Sequence, residues 1–390
     1  MAINEYTVLT PDLRQQFLEK GYVKIENAVP LENIKRFSED VWIRLGYDPQ
    51  DKSTWEKEKV HMPRHREVIM KVFAPKAWAA ICEILGGEDR IDPTLFESFG
   101  DSLICNFGSP EWEDVRELPL NPTNPMVQYR LFIYRKKPSL LVCWGTGTCE
   151  SVLYFYSIEV ASGYSILFAP TYHRTETAIG EQAVTVIVLF NDIEPRAGGT
   201  FLAPDGLKNV VKWLYEHPEG ADSFPVDETG ARTCTGKAGD VVIFHPLMVL
   251  QSSLVKCRIL LIFAIYIYLQ PHSASKNYKR IPRFITNPPV TLKGPLNLAR
   301  ENPDDYSLTE LVILRALGEN GIDAAKMKDW KITGKRRRFT PRTRGGKDAM
   351  IIAEVARMKQ YALRSGGAIK VDSMHINGPV PYQTVIPTEG

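Results

Sequence analysis

Through the first part of the chain, apolar residues recur every three or four positions. Thr10 is a good N-cap, and Pro11 suits a first helical position, where its missing N–H costs nothing. Leu13, Phe17 and Leu18 then share one face. Gly21 ends that helix, and residues 22–25 (YVKI) alternate as a short strand does. Residues 31–45 (LENIKRFSEDVWIRL) place Ile34, Phe37, Val41, Trp42 and Leu45 at helical spacing and predict a second helix. Residues 75–85 (PKAWAAICEIL) predict a third, closed by Gly86 and Gly87. Then the period changes. Residues 183–190 (AVTVIVLF) form an unbroken apolar, β-branched run of the kind buried on both faces of a sheet. The turn 194–199 (EPRAGG) leads into 200–203 (TFLA), which predicts a hairpin. A short amphipathic helix follows at 207–216, and Gly239 and Asp240 open another buried strand at 241–245 (VVIFH). Residues 307–318 (SLTELVILRALG) predict a capped helix. Helices preceding a cluster of short strands predict an α+β fold with a sheet sandwich or jelly roll at its centre.

Composition narrows the class without choosing a function. A chain of 390 residues can bury one large core or two smaller ones. A content of 44% hydrophobic and 24% charged residues is ordinary for a soluble globular protein. The formal charge of +2 gives no reason to expect a polyanionic partner. Residues 1–11 lack a basic stretch followed by an apolar run, so the expectation is a cytoplasmic protein with no secretory signal. Six cysteines, at 82, 105, 143, 149, 234 and 257, form no Cys-x-x-Cys pair and read as free buried thiols. The most apolar run, 259–269 (ILLIFAIYIYL), is shorter than the roughly 20 residues that span a bilayer. Past residue 320 the chain turns basic, with Lys335, Arg336, Arg337, Arg338, Arg342, Arg344 and Lys347. Only one aromatic residue, Phe339, lies among them, which favours a solvated tail over a nucleic-acid patch.

The candidate chemistry lies in the second half. Residues 239–248 (GDVVIFHPLM), 271–277 (PHSASKN) and 280–283 (RIPR) look like one interrupted motif. Five further runs accompany it: EKGYVKIENAVP, VWIRLGYDPQDKSTW, FAPKAWAAICEILGGEDRID, FNDIEPRAGGTFLAPDG and IPRFITNPPV. Together they resemble the phytanoyl-CoA dioxygenase-like family of Fe(II)/2-oxoglutarate-dependent oxygenases, in a fungal-type subgroup, over most of residues 10–330. The resemblance implies a double-stranded β-helix (jelly-roll, cupin-like) core with flanking helices. It implies Fe(2+) held by two His and one carboxylate, with open positions for 2-oxoglutarate and dioxygen. His272 falls on the distal metal ligand and Arg283 on the arginine that grips the far carboxylate of 2-oxoglutarate, with Asn277 a neighbour of that cofactor. A guanidinium suits the task because its planar fork holds a carboxylate in two places and keeps its proton. Arg280 competes with Arg283, and spacing favours Arg283. His245 reads as a satisfied structural residue, and His61, His65, His217 and His375, without ligand spacing, as surface residues. The implied partners are a small organic or acyl substrate and dioxygen, with ascorbate as an accessory, and neither a membrane nor a nucleic acid.

Two stretches depart from the family pattern. Residues 249–270 separate HPLM from PHSAS, and removing them restores the motif without a seam. The segment begins with Val and ends with Gln, whose codons can supply the two ends of an intron, so it reads as a translated intron. Ahead of residue 181 the family carries Trp-His-x-Asp-Gly, yet 127–180 contain neither His-x-Asp nor His-x-Glu. His173 is the one histidine there and so the candidate first ligand; Glu176, three residues on, would face the other way on a strand. The codons behind 143–148 (CWGTGT) can spell Leu-Gly-Asn-Trp-His out of frame, which points to a mis-spliced reading. The organisation expected is an oxygenase domain over 1–320, interrupted at 127–180 and 249–270, followed by a basic, partly helical extension over 321–390. The alternative function is a catalytically dead jelly-roll protein that binds a small molecule without turning it over.

Overall fold

The computed structural model describes residues 6–92, 98–113, 181–216, 232–248, 276–294, 296–318, 348–366 and 371–378. The chain opens with helix α1 (Pro11–Lys20), whose Thr10 side chain accepts from the Leu13 N–H and whose Gly21 takes the left-handed conformation that ends it. Strand β1 (Tyr22–Ile25) follows, as its alternation predicts. The single helix expected over 31–45 is instead two, α2 (Leu31–Ser38) and α3 (Val41–Leu45). The break has a cause far along the chain. Arg66 donates to the carbonyls of Arg36 and Phe37, which a continuing helix would have used, and pairs with Asp40 at 2.6 Å. Ser38 Oγ bonding back to the Ile34 carbonyl bends the same turn.

Helix α4 (Pro75–Leu85), α5 (Gly206–Glu216) and α6 (Leu308–Leu317) match their predicted spans to within a residue or two. Ser307 and Glu310 close a reciprocal capping box at the start of α6. The remaining strands are β2 (Lys59–His61), β3 (Glu67–Ile69), β4 (Ser98–Gly100), β5 (Ile104–Asn106), β6 (Glu181–Leu189), β7 (Phe201–Leu202), β8 (Arg232–Thr233), β9 (Val241–Phe244), β10 (Arg283–Thr286) and β11 (Pro289–Leu292). Among the described residues, seven of these eleven strands form one antiparallel sheet in the order β1-β9-β6-β10-β5-β2, with β11 continuing along β6. Strand β6 is the centre, its apolar run buried on both faces, as the unbroken hydrophobic pattern requires.

The hairpin expected at 200–203 does not form back onto β6. Both edges of β6 are already occupied, by β9 on one side and by β10 and β11 on the other. Strand β7 therefore pairs with β8 in a separate two-stranded sheet, as β3 does with β4. The described residues thus form a mixed helix and antiparallel-sheet fold, which does not by itself complete a double-stranded β-helix.

Helix α7 (Asp348–Arg364) packs against α3. Its Glu354 accepts from Arg44 Nε at 2.8 Å and lies 3.1 Å from His65 Nε2. His65 Nδ1 lies 2.7 Å from Ser373 Oγ. The surface placement expected for His65 is therefore wrong, because the carboxylate and hydroxyl that let an imidazole be buried arrive from about 290 and 308 residues away in sequence. His61 and His375 are exposed, as expected, and His217 lies outside the described residues. Among the described residues no helix is long and apolar enough to cross a membrane. The boundary near residue 320 and the stretches 127–180 and 249–270 also fall outside the described residues.

Candidate anion site around Arg283

Three loops converge where β5 ends and β10 begins. Arg283 is the first residue of β10 and stands cross-strand from Asn106, the last of β5. The third wall is the glycine-rich turn after β6. There Gly198 has φ +80°, and a Cβ on it would come within 2.6 Å of Asn106 Nδ2 and 3.0 Å of Asn277 Cβ. Gly108, at φ +70°, would meet the Asn277 carbonyl at 2.4 Å. Only residues without a side chain let these loops close up so far.

The Arg283 side chain is 3% exposed. Its Nη1 donates to Thr200 Oγ1 at a long 3.4 Å, and its Nε has no partner among the described residues. No carboxylate faces it there; the titratable groups beside it are the thiols of Cys105 and Cys234. Burial pushes the Cys234 thiol up to about 11 and the Cys105 thiol higher still, so both are neutral at neutral pH and offer no counter-charge. Burial also pulls Arg283 down to about 10, which leaves it a cation. The site is a buried positive charge beside a hydroxyl, with no carboxylate among the described residues to neutralise it.

Arg280 is different. Its Nη1 lies 3.3 Å from Glu113, its Nη2 donates to the Lys52 carbonyl, and its guanidinium sits over the Trp55 ring at 5.5 Å. Glu113 is held below the usual carboxylate range by its hydrogen bond from Lys52 and then by Arg280. The two arginines of 280–283 are thus separated by their partners. Asn277 is fully buried, with Nδ2 donating to the carbonyls of Asn106 at 3.0 Å and Ile281 at 2.6 Å, while Oδ1 has no partner among the described residues. His272 and His173 lie outside the described residues. Among the described residues no group of three His, Cys, Asp or Glu side chains could hold a metal ion.

His245 is a satisfied core residue. Its Nδ1 accepts from the Leu247 N–H at 3.1 Å, which leaves Nε2 to donate to the Thr309 carbonyl at 3.2 Å. It fastens the turn after β9 onto α6. Sequence reasoning did not single out Thr200 or Asn191. The signal for Asn191 was a polar residue directly after the apolar run of β6. Thr200 carries no such mark.

No family model matches the chain, and no curated protein matches it. Solved structures similar to it include HygX from Streptomyces hygroscopicus with nickel and 2-oxoglutarate bound, at 13% identity over 74% of this chain and 87% of that one, TM-score 0.32. EvdO2 from Micromonospora carbonacea var. aurantiaca is similar at 11% identity over 78% and 99%, TM-score 0.34. EctD from S. alaskensis in its apoform is similar at 12% over 74% and 79%, TM-score 0.34. At these TM-scores the likeness assigns neither fold nor activity.

Proposed function

We propose that this chain is an Fe(II)/2-oxoglutarate-dependent dioxygenase of the phytanoyl-CoA dioxygenase-like kind, acting on a small organic or acyl substrate in the cytoplasm. The observation that carries the reading is Arg283, a buried guanidinium with a hydroxyl beside it and no carboxylate among the described residues. A buried cation without a counter-ion is costly, and an anionic ligand removes the cost by supplying the missing charge. Arg283 would take the far carboxylate of 2-oxoglutarate, with Thr200 Oγ1 as a second donor, and hold the oxoacid end pointing away from it. The motif assigns His272 to the iron, and His173 is the candidate for the first ligand. When bound, iron supplies oxidative decarboxylation of 2-oxoglutarate by dioxygen, coupled to oxidation of the substrate. Neutral Cys105 and Cys234 make the surroundings of the guanidinium weakly polar and strengthen its hold on a carboxylate.

In this reading the seven-stranded sheet is one face of a jelly roll and the β7–β8 pair belongs to the other. The oxygenase unit occupies 1–320, 321–390 is its extension, and 249–270 is translated intron. The lack of His-x-Asp or His-x-Glu in 127–180 favours a second reading, in which the same site binds 2-oxoglutarate without turnover. Calorimetric titration of 2-oxoglutarate in the presence of Fe(II) without oxygen, beside succinate release once oxygen is admitted, tests both. Saturable binding that weakens roughly 100-fold in Arg283→Met is expected, from the loss of charge-assisted bonds worth about 1.5–3 kcal/mol each. Equal affinity in the two proteins overturns the assignment, and binding without succinate selects the second reading.

A further inference from the structure

We infer that two asparagines, Asn277 and Asn191, are positioning residues that aim Arg283 by bracing the backbone on either side of it. The inference rests on the reading of Arg283 as the 2-oxoglutarate arginine and changes the role of Asn277 from neighbour of that cofactor to brace. Asn277 Nδ2 is shared between two carbonyls. One belongs to Asn106, the cross-strand partner of Arg283, and the other to Ile281, two residues before it. An amide placed between two acceptors has its orientation fixed, because the flipped form would set Oδ1 against both. Asn277 therefore staples the approach to β10 onto the end of β5.

Asn191 does the same from the turn after β6. Its Nδ2 donates to the Pro282 carbonyl and its Oδ1 accepts from the Phe284 N–H at 2.7 Å. A side-chain amide that both donates and accepts replaces a rung of the ladder where Pro282 supplies no N–H. The peptide units immediately before and after Arg283 are thus both held by Asn191, while Asn277 holds the Ile281 carbonyl two residues ahead and the Asn106 carbonyl across the ladder. Among the described residues the guanidinium itself keeps one long hydrogen bond, to Thr200. Its direction is set through the backbone, and the two braces are what set it.

The test compares 2-oxoglutarate affinity, measured as above, with denaturation midpoint in Asn277→Ala, Asn191→Ala and Val312→Ala, the last being a core truncation in α6. Each asparagine variant should bind roughly tenfold more weakly, as expected for losing one or two hydrogen bonds that fix the site. Val312→Ala, at a similar loss of midpoint, should stay within about twofold, since it removes packing but no brace. Affinity in the asparagine variants equal to that of Val312→Ala overturns the inference while leaving Arg283 in place. Unchanged affinity in Arg283→Met overturns the site itself and is a separate outcome. A second measurement needs no ligand: the Arg283 Nε–H resonance, identified by its loss in Arg283→Met, should move in Asn277→Ala. A resonance that stays put overturns the inference.

Discussion

Among the buried arginines of the described residues, Arg44 and Arg283 live in opposite surroundings. Arg44, 0% exposed, has Asp101 at 2.7 Å and Glu354 at 2.8 Å, and also donates to the Pro63 carbonyl. Burial alone would lower its pKa, but Asp101, Asp40 and Glu354 outweigh burial and hold it above the ordinary arginine value. Arg283 has burial and, among the described residues, no carboxylate, and falls. A fold that spends three carboxylates on one guanidinium has the means to compensate a buried charge. Leaving another without one among the described residues is the contrast on which the ligand proposal rests.

The largest break in the contrast should come from Asp101→Ala. Asp101 accepts from Arg44 Nη1, Arg66 Nε and the backbone N–H groups of His65 and Arg66. Burial would raise its pKa, yet Arg44 and Arg66 more than reverse that and lower it. Removing the carboxylate takes from two buried cations the counter-charge they share, leaving Arg44 with Glu354 and Arg66 with Asp40, and a loss of about 3 kcal/mol in urea unfolding is expected. The lowered value also means that the contribution of Asp101 is full above its unfolded pKa, near 4, and is lost as pH falls through the lower folded value. A loss below about 1 kcal/mol would show the network to be ornamental.

Arg283→Met should have the opposite sign and a smaller size. The variant removes an unpaired charge and keeps the volume, so the protein without ligand should be unchanged or up to about 2 kcal/mol more stable. Alkaline titration sharpens the same point. Between about 10 and the ordinary arginine value the unfolded chain binds the proton that folded Arg283 has released. Stability should therefore gain with rising pH there in the parent relative to the variant. Destabilisation by Arg283→Met comparable to that of Asp101→Ala would make the two arginines alike and remove the case for a ligand.

What could be read in the sequence was what neighbouring residues decide. The cap of α1, the capping box of α6, the left-handed Gly21 and the two-sided burial of β6 each depend on a few adjacent positions, and each matched expectation. The errors came from distant partners. The break between α2 and α3 is made by Arg66 taking helix carbonyls, and the burial of His65 by Glu354 and Ser373. The pairing of β7 was decided by which edges of β6 were already taken. Around the candidate site, motif spacing separated Arg283 from Arg280 without showing why. The physical difference is that Glu113, 167 residues away in sequence, pairs with Arg280 and not with Arg283. Nothing local to Thr200 announced it, because its hydroxyl matters only through the strand that places Arg283 beside it.

A third buried group completes the series, and its effect should be the smallest. Arg44 stays charged because it is paired, Arg283 because even a lowered arginine pKa exceeds neutral pH, and His245 sheds its proton. Burial pulls the His245 pKa down to about 3, against a weaker opposing pull from the Thr309 carbonyl. Between its unfolded value, near 6.5, and about 3 the unfolded chain binds a proton that the folded chain refuses. Stability present above pH 6.5 should therefore be lost as pH falls, at up to about 1.4 kcal/mol per pH unit from this residue. His245→Gln keeps a donor for Thr309 and removes the titration. Urea unfolding of the two proteins at steps from pH 7 to pH 5 should give curves that diverge in that window, the parent falling more steeply by about 1 kcal/mol per unit at the acid end. Parallel curves would mean that the turn after β9 opens far enough to hydrate the imidazole, and His245 would then not be the fixed point that holds this turn to α6.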